Sequence, residues 1–388
     1  MFKTDQLIED TLPPVETTKG LTFTRHFMKS GIHPFDTVKW IKRDARITTP
    51  DGKVIFEQKD VEFPEQWSQT AVDIVSQKYF AGQEKSSQRE HSLKQMVLRV
   101  VDTITTHGLR EGYFDTNNAA IFHNELCYLL IHQYAFFASP VWFNIGVKNT
   151  RQQASSCFIL NVEDDMGSIL NWYVEEGKIF SNCAGSGVIL SKFRGMNEPL
   201  SGGGFASGVL SFMSAADKSA SVIKSAGRVR RSAKMVILNI DHPDIEDFIW
   251  CKSKEEKKAH ILIAAGYDKS LDGEVYQTVS FQNANNSVGV TDDFMNAVRD
   301  GNEWMTTYRT SRNYAAIYKA RDLFRQMAEA AHSCGDPGAF FLDTCNAWHT
   351  TPSSGSIESP NPCSEFIRTN NEACFAGETR ISTPYGLR

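Results

Sequence analysis

Between residues 87 and 110 the apolar positions Leu93, Met96, Val97, Val100, Val101 and Ile104 recur at intervals of three and four, which predicts an amphipathic helix. Upstream, Ser87 and Glu90 have the spacing of a capping box, and downstream Gly108 is the expected stop. A second helix, dense in apolar residues, is predicted over 119–136. Earlier, ARITTPDGKVIFEQ sets β-branched residues on both sides of Asp51-Gly52 and predicts a hairpin. Residues 1–150 therefore read as a mainly helical domain with one short hairpin.

From about residue 155 the pattern changes. Short apolar runs at 157–162, 187–191, 235–240, 286–290 and 339–343 alternate with helical stretches that include 166–180, 209–225 and 316–332. Near-continuous apolar strands separated by helices indicate a parallel sheet covered on both faces through right-handed crossovers. Five such strands make either an open sheet or half of a barrel. The stretch TTPSSGSIESPNPCSEF at 350–366 is rich in Ser, Pro and Gly and reads as a loop. After Cys374 a short strand and a Pro-Tyr-Gly turn begin.

The composition, 41% hydrophobic and 22% charged over 388 residues, supplies a core and argues against global disorder. A net charge of −5 argues against nucleic acid as partner, since binding phosphates at scale needs a basic face. The longest apolar run falls short of a membrane span, and the polar, acidic start MFKTDQLIEDTLPP is unlike a secretory signal. A soluble, cytoplasmic protein with no membrane partner is expected. None of the eight cysteines forms a C-x-x-C pair, so no metal site is expected, and Cys127, Cys251 and Cys345 read as small core residues.

Candidate chemistry concentrates in NPCSEF. If this stretch is extended, alternation puts Asn361, Cys363 and Glu365 on one side: a hydrogen-bonding amide, a nucleophile or hydrogen-atom donor, and a base. The competing reading is a surface loop with an Asn-Pro turn. Cys157, preceded by Ser155 and Ser156, either opens a core strand or belongs to a site at a strand end. CAGSG at 183–187 lets backbone approach a ligand closely. KSAGRVRRSAK at 224–234 either binds phosphate or is a solvated basic turn.

Taken together, QWSQTAVDIVSQKYF, LLIHQYAFFASPVWFN, QASSCFIL, GSGVILSKFRG, ANNSVGVTDDFM, CGDPGAFFLDT and SPNPCSEF closely resemble vitamin B12-dependent (class II) ribonucleotide reductases, over nearly all of residues 20–374. The resemblance implies a ten-stranded α/β barrel built of two five-stranded halves, the first lying in 151–349 with the effector loops, and a finger loop in 350–373. It implies that Cys363 becomes a thiyl radical when adenosylcobalamin is cleaved, and that it sits in a closed pocket. Asn361 and Glu365 then handle the ribose hydroxyls, and Cys157 and Cys374 form the redox pair. Substrate contacts are implied at Ser139, Ser156, Cys157, Gly185, Asn361, Pro362, Cys363, Ser364 and Glu365. A dNTP or ATP effector is implied at Asp164, Arg194, Arg228 and Arg230. The implied partners are a ribonucleotide, a dithiol reductant such as thioredoxin, and, when complete, a second copy in a homodimer.

One departure stands at Cys374. The family continues there with Asn-Leu-Ala-Ser, whereas Phe375-Ala376-Gly377-Glu378-Thr379 resembles the opening block of an intein, which makes Cys374 an intein nucleophile and 374–388 an intein fragment. The C-terminal half of the reductase would then be a partner joined by trans-splicing, and this polypeptide alone is expected not to reduce ribonucleotides. The alternatives are a split-intein precursor, the large subunit of a class I reductase, and a degenerate nucleotide-binding chain.

Overall fold

The computed structural model describes residues 20–49, 52–223, 233–270 and 273–373, with the backbone of 382–383 and 386–387. The chain divides into two compact units, Met1–Ala154 and Ser155–Arg388.

In the first unit the hairpin forms as the pattern predicts: β1 (Trp40–Thr48) pairs antiparallel with β2 (Val54–Pro64). The turn closes through Gly52, whose φ of +85° suits a residue without a Cβ. The amphipathic helix runs Leu93–Arg110, with Leu93, Met96, Val97, Val100 and Val101 buried. Its boundaries differ from expectation. Ser92, not Ser87, is the cap, and Gln95 rather than Glu90 completes the capping box. Glu90 is instead drawn inward to Arg99, whose Nε lies 2.7 Å from Glu90 Oε1. Gly108 lies inside the helix rather than ending it, and a glycine is needed there since the Phe114 ring occupies the space a Cβ would need. The second predicted helix is Thr116–Ile131, capped by Asp115, and it is half-buried over most of its length.

The second unit contains all five expected strands: β3 (Cys157–Leu160), β4 (Gly185–Ile189), β5 (Lys234–Asn239), β6 (Ala284–Val290) and, later, β9 (Gly338–Phe341). They form one parallel sheet in the order β3-β4-β5-β6-β9. Strict alternation sorts the side chains. Val188, Val236, Leu238 and Val288 join one core with the helices Met166–Ser181, Val209–Val222, Ile245–Ala264, Asp292–Asp300 and Ala320–Cys334. Ile189, Met235 and Ile237 point the other way and pack on Phe340, Ile357 and Ile367. The long helices thus cover one face only, which corrects the expectation of helices on both. Residues 316–319, expected to open a helix, belong instead to a strand, β8 (Tyr314–Lys319), paired with β7 (Glu303–Thr307).

The opposite face carries a second hairpin, β10 (Ile357–Pro360) with β11 (Ile367–Thr369). Beyond it the chain runs back along the edge strand β3. Asn371 N donates to Ile159 O at 2.8 Å, Ile159 N donates to Glu372 O at 2.8 Å, and Ala373 bridges Phe158. No helix among the described residues is long and apolar enough to cross a membrane.

Candidate active site

The tip of the β10–β11 hairpin, residues 361–366, rests against the amino-terminal ends of β3, β4 and β6. Open parallel sheets ordinarily bind ligands at the carboxyl ends, so this placement has to be built by something local. Two glycines build it. A Cβ on Gly185 would stand 2.7 Å from Pro362 Cγ and 3.0 Å from Ala233 O, and one on Gly187 would stand 2.9 Å from the Pro360 carbonyl carbon. Their absence turns β4 into a backbone shelf that the proline-rich strand can touch. Asn285 Nδ2 then donates to Pro362 O at 2.7 Å from β6. Asn285 was missed by sequence reasoning; its signal is an asparagine at the mouth of an otherwise apolar strand.

The tip itself is a tight turn, not the extended segment supposed from the period of two. Ser364 N donates to Asn361 O at 3.0 Å, Asn361 N donates to Phe366 O at 2.9 Å, and Ser364 takes φ +65°. The turn separates the three candidate side chains. Asn361 is fully buried, whereas Cys363, Ser364 and Glu365 are exposed at the apex. The closed pocket expected around Cys363 is therefore not formed by the described residues of this chain.

Asn361 is the pivot. Its Oδ1 accepts from Phe366 N at 3.0 Å and its Nδ2 donates to Cys157 Sγ at 3.1 Å. Both ends of one buried amide are satisfied, which fixes its rotamer and the loop that carries it. Cys157, the first residue of β3, is buried beneath it. Ser156 precedes it, half-buried, with its carbonyl accepting from Gly185 N at 2.8 Å. The structure thus brings together Ser156, Cys157, Gly185, Asn361, Pro362, Cys363, Ser364 and Glu365. Ser139 belongs to the other unit, where its hydroxyl lies 3.0 Å from Tyr79 Oη. Cys374 lies outside the described residues; the residue before it, Ala373, is bridged to Phe158, next to Cys157.

The remaining thiols differ in character. Burial pushes the Cys251 thiol up to about 12 and raises Cys127 further, so neither is a nucleophile near neutral pH. Cys345, expected in the core, is half-buried.

The candidate effector residues occupy the opposite rim of the sheet. Asp164 follows β3 and Arg194 follows β4; Arg194 Nε lies 2.5 Å from Asp164 Oδ2. Beside them Lys192 Nζ is 2.5 Å from Glu163 Oε1, and hydrogen bonds from Lys192 and Asn161 hold the Glu163 carboxyl below its ordinary value. Arg228 and Arg230 lie outside the described residues. Lys234, the last residue of the basic stretch, is no solvated cation: it is 2% exposed and its Nζ lies 2.7 Å from Glu176 Oε2.

A family model described as ribonucleotide reductase, barrel domain, matches residues 155–383, more than half of the chain. This chain belongs to the ribonucleotide reductase family. A second model, class II vitamin B12-dependent ribonucleotide reductase, matches residues 41–133. The barrel match runs past Cys374. This chain is 52% identical over 358 residues to a vitamin B12-dependent ribonucleotide reductase of Streptomyces coelicolor, covering 92% of this chain and 37% of that protein. It is 43% identical over 387 residues to one of Rhodopirellula baltica, covering 92% and 37%. To a vitamin B12-dependent ribonucleoside-diphosphate reductase of Mycobacterium tuberculosis it is 34% identical over 230 residues, covering 59% and 30%. The chain thus spans little more than a third of the length of the curated relatives it matches.

Proposed function

We propose that this chain carries the reactive loop of an adenosylcobalamin-dependent ribonucleoside-diphosphate reductase, with Cys363 as the radical residue. One observation supports this above all: the buried Asn361 amide ties the turn bearing Cys363 and Glu365 to the Cys157 thiol at 3.1 Å. A hydrogen-atom donor, a base and a second thiol are thereby assembled at one mouth of the sheet. The class II match over 41–133 favours this reading over a class I large subunit. A wall with helices on one face and the reactive hairpin on the other supports its being half of a barrel.

The chemistry follows from the side chains. Adenosylcobalamin, when bound, supplies the initiating radical, and the exposed Cys363 thiol on a pinned turn fits a group of that size. The Cys363 thiyl takes the 3′ hydrogen of the ribose while the Glu365 carboxylate accepts the 3′-hydroxyl proton. Asn361, buried with its Nδ2 on Cys157, holds the ribose hydroxyls only once substrate displaces that contact. The 2′-hydroxyl leaves as water as Cys157 and a second cysteine close to a disulfide, which supplies two electrons and two protons. Cys363 then returns its hydrogen atom to the 3′ carbon, and a dithiol such as thioredoxin reopens the disulfide. We assign the second cysteine to the position of Cys374, since Ala373 is paired beside Cys157. Asp164 and Arg194, a pinned ion pair at the far rim, fit an effector phosphate that competes for the guanidinium.

In the intact reductase with adenosylcobalamin and a dithiol, Cys363→Ser is expected to lower turnover by about 10⁴-fold or more, as loss of a reacting group does. Its exposed position predicts unchanged folding, checked by thermal denaturation. Turnover within tenfold of the unaltered enzyme would exclude Cys363 as the radical residue.

The intein reading of 374–388 rests on the sequence Cys374-Phe375-Ala376-Gly377-Glu378-Thr379 replacing the family's continuation. It predicts that the mature reductase lacks these residues and joins Ala373 to a new cysteine. Peptide mass mapping of the mature protein decides it: a peptide running unbroken from Ala373 into Phe375 would rule splicing out.

A further inference from the structure

A fully buried ion pair lies directly behind the glycine shelf and takes no part in the chemistry above. Lys234, the first residue of β5, and Glu176, on the helix Met166–Ser181, have side chains 1% and 3% exposed, with Nζ 2.7 Å from Oε2. The second carboxylate oxygen accepts from Ser186 Oγ at 2.8 Å. The ammonium also stands 4.7 Å from the centre of the Trp172 ring. Ser186 is the residue between Gly185 and Gly187, and its register partner is Lys234. Strand alternation therefore gives β4 two faces with separate tasks: the glycines meet Pro360 and Pro362, while the serine reaches back to Glu176.

Charges buried this completely cost several kcal/mol each to desolvate. A well-packed apolar pair would fill the same space, so the pair's location calls for a reason. β4 supplies one. A strand reading Gly-Ser-Gly has little side-chain packing of its own and a large backbone entropy to lose. It must nevertheless present its backbone to the loop tip at fixed height. The glycines cannot hold themselves there; Ser186, Glu176 and Lys234 can, because they lock β4 to β5 and to the helix beneath.

We propose that Glu176, Lys234 and Ser186 are positioning residues for the reactive loop, holding the Gly185–Gly187 shelf so that Asn361 stays seated on Cys157. The proposal rests on the reading of 361–365 as the reactive loop, but its test needs no turnover, so the two fail in different experiments. The probe is alkylation of the chain by iodoacetamide, with each cysteine followed by peptide mapping. Cys157 is covered by Asn361, whereas Cys251 is buried in the same unit on the inner side of the helix Ile245–Ala264 and serves as the internal control. Ser186→Ala removes one hydrogen bond and is expected to raise the Cys157 rate about five-fold, the factor for a net hydrogen bond of ~1 kcal/mol. The Cys251 rate should not move. A parallel rise at both cysteines would show general loosening and overturn the proposal, as would no change at either. Should Ser186→Ala not fold, the double variant Glu176→Gln with Lys234→Met keeps volume and removes both charges. It is expected to expose Cys157 selectively in the same way, and wild-type protection of Cys157 in that variant would equally refute the assignment.

Discussion

Replacing Gly187 by alanine gives the most direct test of how the loop is held. Alanine's Cβ would overlap the Pro360 carbonyl oxygen, with the carbonyl carbon 2.9 Å and Ser359 Oγ 3.2 Å away, all in β10. Non-bonded heavy atoms in contact prefer a separation of about 3.5 Å, and the carbonyl oxygen is the nearest obstacle, so Pro360 must retreat by roughly 1–1.5 Å. Asn361 is the next residue. The same retreat takes its Nδ2 from 3.1 Å to beyond about 4 Å from Cys157 Sγ, where a hydrogen bond to sulfur is lost. Overpacking of this kind costs about 1–3 kcal/mol, and a misplacement near 1 Å at a reacting centre costs about 10²-fold in rate. In the intact reductase, Gly187→Ala is expected to fold with a lowered thermal midpoint and to lose about a hundredfold in kcat. Cys157 should at the same time become open to alkylation. A Gly187→Ala enzyme with Cys157 still protected and kcat within threefold of the parent would refute the shelf.

Acid stability should report on the far rim. His242 is fully buried, its Nε2 donating to Phe193 O at 2.8 Å and its Nδ1 accepting from Asp244 N at 3.0 Å, and burial holds it down at about 4. The unfolded chain, with an imidazole near 6.5, takes up a proton first as pH falls, so the fold loses stability between 6.5 and 4, by about 2 kcal/mol at pH 5. Urea unfolding at pH 7 and pH 5 should show that loss in the parent and not in His242→Gln; equal losses in both would contradict it.

The parallel sheet was legible because its strands are apolar and its helices periodic, two signals that reinforce each other. The helix Leu93–Arg110 was legible for the same reason, but its cap was not. Ser87 and Ser92 offer the same local chemistry, and only the tertiary recruitment of Glu90 by Arg99 decides between them. The single-sided placement of the helices was not legible, since apolar strands look alike whether helices or a hairpin cover the second face. Within the site, the residue types of NPCSEF stood out, but the turn that buries Asn361 and exposes Cys363 depends on Gly185 and Gly187 more than a hundred positions away. Lys234 shows the limit of reading charge from a string: arginines stand three and four residues before it, yet its neighbour in space is Glu176.

The two rims of the sheet are joined by very little chain. Cys157 opens β3 and Asp164 follows its far end; Gly185 opens β4 and Arg194 follows its far end. A strand advances about 3.3 Å per residue, so the Asp164–Arg194 pair is separated from the sulfur atoms at the other rim by no more than the length of a short ladder segment. An axial slip of β4 against β3 would be felt at both ends at once.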